Sequence, residues 1–168
     1  RGGIPVLFPI CGNLPGDRLP LKSGAATLKQ QGFARGLPWQ LELLDDQSGV
    51  RLWLTDTDET LAHYPFRFRL EMAVRPVSDA LEITTTIANA NEGGELMPFS
   101  FGLHPYFNVT DLSRTSLEGL APQCLNHLVM AEAETGDQLS RLPEGVDFLT
   151  RPAGPVTLVD EAVGTRLQ

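Results

Sequence analysis

Apolar and polar residues alternate with a period of two along much of the chain. The clearest run is Phe66-Arg67-Phe68-Arg69-Leu70-Glu71-Met72, which sets Phe66, Phe68, Leu70 and Met72 on one face. That pattern predicts a half-buried antiparallel strand. Trp39 to Leu44 reads as a strand closed by Asp45-Asp46-Gln47-Ser48-Gly49, and Val50 to Thr55 reads as its hairpin partner. Leu81 to Ile87 is rich in β-branched residues and predicts another strand, followed by a turn at Asn91-Glu92-Gly93-Gly94. Met97 to Leu103, Leu117 to Leu120 and Val156 to Val159 complete the set, while 125–134 fits either element type. Asp56 to Thr60 predicts a solvated loop with one helical turn. Antiparallel, turn-linked strands at this spacing give an all-β fold, a sandwich or barrel.

Composition narrows the class. With 168 residues, 42% of them hydrophobic, the chain is long enough for one domain over 1–168 with a sizeable core. Thirteen Lys and Arg against 21 Asp and Glu leave a net charge of −8, which argues against nucleic acid as the main partner. The uncharged stretch after Arg1 is broken by Pro5, Pro9 and Pro15, so it predicts no membrane helix. No basic n-region precedes an apolar run, and a cytoplasmic location is the expectation. Cys11 and Cys124 form neither a disulfide framework nor a metal cluster, and no metal site is expected. Nothing in the pattern specifies an oligomeric state. The chain starts at Arg1 and stops at Gln168 after a strand-like run, which predicts a fragment lacking N- and C-terminal parts of a longer protein.

Three segments hold candidate chemistry. His104 sits in Phe99-Ser100-Phe101-Gly102-Leu103-His104-Pro105-Tyr106-Phe107-Asn108, an imidazole among aromatics beside a proline. Such a setting tunes an imidazole for general acid work near neutral pH. Arg1-Gly2-Gly3 joins a guanidinium to two glycines that permit close backbone approach to a ligand. Gln31-Gly32-Phe33-Ala34-Arg35 places an amide and a guanidinium beside a glycine, and arginine suits bidentate capture of phosphate or carboxylate. Neither a dinucleotide nor a Walker phosphate loop is present.

Four motifs occur in order: Arg1-Gly2-Gly3-x-Pro5-x-x-Phe8-Pro9, Gly32-Phe33-Ala34-Arg35-x-x-Pro38-Trp39, Tyr64-Pro65-Phe66-x-Phe68-x-Leu70, and Leu103-His104-Pro105-Tyr106-Phe107. Together they resemble the aldose 1-epimerase (galactose mutarotase) superfamily, in particular its hexose-6-phosphate mutarotase-like branch, from Arg1 to at least Asp147. The resemblance implies an antiparallel β-supersandwich, incomplete in this chain. It also implies a cofactor-free isomerase that interconverts α and β anomers of a hexose or hexose 6-phosphate. His104 matches the general acid, Arg1 and Arg35 match arginines near the phosphate, and Asp147 matches an aspartate that holds sugar hydroxyls. Gln31 stands where a histidine is usual; an amide binds a hydroxyl but carries no proton at neutral pH. The glutamate base that the resemblance implies has no match before Gln168 and is expected beyond it. The alternatives are a non-catalytic carbohydrate-binding protein of the same fold and a sandwich domain of a larger glycan-processing enzyme. In each case the partner is a small sugar or sugar phosphate, not nucleic acid or a membrane.

Overall fold

Period-two alternation becomes a four-stranded antiparallel meander. The structure, a computed structural model, describes residues 2–22 and 24–168. The chain divides into two compact units, Arg1–Tyr106 and Phe107–Gln168. In the first unit, β1 spans Val6–Leu7, β2 Arg18–Leu21, β3 Gly24–Thr27, β4 Gln40–Leu43, β5 Val50–Thr55, β6 Phe68–Val77, β7 Ala80–Asn89 and β8 Gly102–Leu103. The sheet order β4-β5-β6-β7 follows the sequence.

Register puts Leu54, Leu70 and Ile87 in one row across β5, β6 and β7. Leu54, Phe68, Leu70 and Met72 are all buried on that face. Trp53 and Glu71 pair on the opposite, polar face, where Arg51 bridges Glu42 at 2.7 Å and Glu71 at 3.1 Å. Arg69 also bridges Glu71, at 2.7 Å, and lies over the Trp53 ring. Such part-exposed pairs fix register more than they add stability.

Phe8, Ile10, Leu28, Ala34, Leu54, Tyr64, Phe66, Phe68 and Leu70 form the core of this unit. Phe8 is its centre, with ring centroids 5.0 Å from Phe68 and 6.2 Å from both Phe33 and Tyr64. The buried Tyr64 hydroxyl donates to the Pro98 carbonyl at 2.8 Å, and burial pushes its pKa far above the usual phenol range.

Three expectations change in detail. The acidic stretch forms a six-residue helix, α1 (Asp58–His63), because Thr57 and Thr60 close a capping box and Asp58 and Glu59 meet its positive end. The strand expected from Phe66 begins at Phe68, after Phe66 N–H turns back to the Tyr64 carbonyl. Of Met97–Leu103 only Gly102 and Leu103 pair as a strand, with β1.

In the second unit, β9 spans Thr115–Glu118, β10 Gln123–Asn126, β11 Ala131–Glu134, α2 Thr135–Leu139, β12 Phe148–Thr150, β13 Thr157–Asp160 and β14 Thr165–Leu167. Two antiparallel sheets result, β11-β10-β12 and β14-β13-β9, so the ambiguous stretch over 125–134 is largely a hairpin. Asp160 is a buried anchor here: its Oδ2 accepts the Thr110 N–H at 2.8 Å and its Oδ1 the Ala162 N–H at 3.0 Å. These backbone donors, Thr110 first, hold its carboxyl below the usual carboxylate range. Among the described residues, no helix is long and apolar enough to cross a membrane.

Candidate functional site

The segment from Gly3 to Gly12 is flanked on both sides by chain that carries candidate residues. On one side, Phe8 bridges Gly32 in parallel, and its carbonyl accepts the N–H groups of Phe33 and Ala34 at 3.0 and 3.1 Å. On the other, Ser100 N–H donates to Pro9, His104 N–H to Pro5 and Tyr106 N–H to Gly3. Gln31, Arg35 and His104 therefore flank one shared extended segment in the first unit.

Glycine is required where these lines meet. Gly32 has φ +68°, and a Cβ there would overlap the Phe8 carbonyl and lie 2.8 Å from the Pro9 nitrogen. Ala34 and Gly36 bound a short 3-10 turn with the exposed Arg35 inside it. The Trp39 indole N–H donates to the Ala34 carbonyl at 2.9 Å and ties the turn down. Arg35 itself reaches only the Gln30 carbonyl, at 3.3 Å, and pairs with no carboxylate among the described residues.

His104 is exposed, and its ring centroid lies 5.1 Å from that of Tyr106. A single residue, Pro105, separates them, and the two rings lie side by side. Tyr106 was not among the candidates read from sequence; its signal is the His-x-Tyr spacing itself. Gln31 has a different occupation from the one expected. Its backbone takes φ +67°, its N–H donates to the Gly12 carbonyl at 2.9 Å, and its Oε1 accepts the Gly12 N–H at 2.8 Å.

Asp147 belongs to the second unit, just before β12, and is exposed. His127 N–H donates to its carbonyl at 2.9 Å, and His127 Nδ1 lies 3.4 Å from its Oδ1. The sequence carries no local sign of this partnership, because 20 residues separate the two. Arg1 lies outside the described residues.

Two clefts are lined by other residues. One, of about 280 Å³, is lined by Thr27, Leu28, Lys29, Gly32, Phe33 and His63. The other, of about 350 Å³, lies over the β10 and β12 pair, beside Cys124 and Arg151. No group of three or more His, Cys, Asp or Glu among the described residues is placed to hold a metal ion.

An antiparallel all-β chain with these motifs defines a class, and comparison with known proteins identifies it. Residues 2–152 match the family model for aldose 1-epimerase, so the chain belongs to the aldose 1-epimerase family. A protein of Escherichia coli (strain K12) named "Putative glucose-6-phosphate 1-epimerase" is 32% identical over 168 residues, covering 97% of this chain and 52% of the relative. A relative of the same name from Cenchrus ciliaris is 33% identical and covers 71% of this chain and 36% of its own length. The crystal structure of the Slr1438 protein from Synechocystis sp. PCC 6803 superposes with a TM-score of 0.86 at 36% identity, over 96% of this chain and 57% of that one. A galactose mutarotase related enzyme from Lactobacillus acidophilus, 22% identical with a TM-score of 0.74, shares the fold over 95% of this chain and 59% of its own. The chain thus spans between about a third and a little over half of the length of the curated relatives it matches.

Proposed function

We propose that the protein to which this chain belongs is a hexose-6-phosphate 1-epimerase, with His104 as its acid and Arg35 as its phosphate ligand. One observation carries the reading: a guanidinium that forms no ion pair among the described residues and an exposed imidazole flank the same hydrogen-bonded segment. Family membership supplies the reaction type, and the names of the two curated relatives suggest the phosphorylated substrate.

The chemistry is a reversible ring opening. A base removes the proton from the anomeric O1, the C1–O5 bond breaks, and C1=O1 forms. The His104 imidazolium donates a proton to O5 as that bond breaks. Rotation about C1–C2 presents the other face of the aldehyde, and the reverse proton transfers close the ring. His104 must hold a proton in one half of the cycle and lack it in the other, which suits an imidazole near neutral pH. The Tyr106 ring beside it restricts the imidazole and offers an apolar surface to the sugar. Arg35 supplies the charge-assisted grip that a phosphate needs. Arg1 stands with Arg35 as a phosphate ligand, and Gln31 as a further substrate ligand.

A second reading, a sugar-binding protein without turnover, draws on Gln31, whose amide carries no proton and is already bonded to Gly12. One experiment separates the two. Interconversion of glucose 6-phosphate anomers is followed through a β-specific dehydrogenase, with spontaneous mutarotation subtracted, for wild type and His104→Asn. The epimerase reading expects His104→Asn to lower kcat by about 10²–10⁴-fold. Binding of the sugar phosphate with no rate above background favours the second reading.

A further inference from the structure

We propose that the cleft between β3 and the C-terminal end of α1 is a second binding site, one for a small organic anion: a compact ring bearing a phosphate or carboxylate. Lys29, His63 and Thr27 would meet the anionic head, and Phe33 with Leu28 the ring. None of Gln31, Arg35, His104 or Asp147 lines it. The site is independent of the epimerase reading.

The charge pattern is the first support. The chain has only two lysines, Lys22 and Lys29, and three histidines, against 21 acidic residues. One lysine and one histidine nevertheless line the same cleft, and no carboxylate lines it with them. Among the described residues neither forms an ion pair, whereas Arg51, Arg67, Arg69, Arg141 and Arg166 all do. In a chain of net charge −8, an acid-free cleft lined by an ammonium and an imidazole, neither in an ion pair among the described residues, favours an anionic occupant.

Rigidity is the second. Leu28 is 2% exposed, and its N–H donates to the Asp17 carbonyl at 2.8 Å. Gly32 N–H closes a turn onto the Lys29 carbonyl at 2.9 Å. Phe33 is held by edge and tilted contacts to Phe8, Tyr64 and Phe68, with centroids 6.0 to 6.2 Å away. His63 is the last residue of a capped helix whose next residue, Tyr64, is fully buried. Floor and backbone are therefore fixed before any ligand arrives, which lowers the entropic cost of binding. A volume of about 280 Å³ falls just below the usual span of small-molecule pockets and suits one ring with its head group, not a nucleotide.

The test is an NMR titration of the chain with phenyl phosphate, inorganic phosphate and phenol, reading the His63 ring protons and the amides of Lys29 and Phe33. Phenyl phosphate is expected to shift these signals saturably, with affinity about tenfold above that of inorganic phosphate and with phenol inert. Lys29→Met and His63→Leu, both at exposed positions, are each expected to weaken phenyl phosphate about three- to fivefold, the scale of one exposed charged contact. Lys22→Met should leave the affinity unchanged. Shifts centred on Arg35 and His104 instead, equal affinity for phosphate and phenyl phosphate, or equal losses in the Lys22 and Lys29 variants would each overturn the proposal.

Discussion

Gln31 holds Gly12 by both of its backbone polar groups: the Gly12 carbonyl accepts the Gln31 N–H, and the Gly12 N–H is capped by the Gln31 side-chain oxygen. The residue that departs from the usual histidine is thus a latch between the loop before β2 and the turn that carries Arg35. What the position demands is an acceptor aimed at one N–H. A neutral imidazole nitrogen satisfies it as well as an amide oxygen does, but an imidazolium does not.

From this follows a pH signature. Gln31→His is expected to leave stability and turnover near or above wild type at pH 8. Below about pH 6.5 the added ring takes up a second proton and loses its acceptor, so the variant should lose stability as pH falls while wild type does not follow it there. Gln31→Leu should cost about 1 kcal/mol at every pH, the scale of one lost hydrogen bond. Melting temperature against pH for the three proteins checks both statements.

Gly32→Ala should be among the most damaging single changes in the first unit. The backbone conformation alone costs an alanine at least about 1 kcal/mol, and the overlap of its methyl with the Phe8 carbonyl adds to that. Urea unfolding is expected to show a clear drop in midpoint, whereas Gly36→Ala, whose Cβ meets nothing within 4 Å, should shift it little.

Arg35→Met is expected to raise KM for glucose 6-phosphate about tenfold or more while changing KM for free glucose little. Guanidinium capture of phosphate contributes to binding in the ground state and transition state alike, so kcat should move less than KM. Equal effects on the two sugars would remove Arg35 from the phosphate site.

Asp160 gives the second unit an acid-sensitive point. Its folded pKa lies below the usual carboxylate range, so its contribution to stability is complete above that range and fades as pH falls through the lower folded pKa. Asp160→Asn turns one acceptor oxygen into a donor facing a backbone N–H. It should destabilise the unit at neutral pH and flatten the loss of stability between about pH 4 and 2. Amide-resolved hydrogen exchange of β13 across that range measures both.

How much of this was legible in sequence depends on distance along the chain. The β4–β7 meander was, most clearly in β6, which buries one face and alternates accordingly, so that Phe68, Leu70 and Met72 fall inside; β4 alternates in sequence yet stays exposed along its length. β2 and β3 were not: Pro20, Gly24 and two alanines leave no pattern, and the pair exists through its register alone. α2 is five residues with a glycine at its second position, too short for a helical period. Of the candidate site, the motifs single out His104 and Arg35 as residues, but give no sign of the latch made by Gln31 or of the His127–Asp147 contact. Both arise from groups that meet only after folding, 19 and 20 residues apart.

The bond from the Trp39 indole to the Ala34 carbonyl gives the protein a built-in optical reporter. The chain has two tryptophans and two tyrosines, and Trp39, Trp53, Tyr64 and Tyr106 all fall in the first unit. Indole and phenol absorbance and emission therefore follow that unit alone, and loosening of the Arg35 turn should register as a change in indole emission. The second unit is spectroscopically silent at those wavelengths. An unfolding curve recorded by tryptophan fluorescence would describe 106 residues of the chain and leave the other 62 unseen.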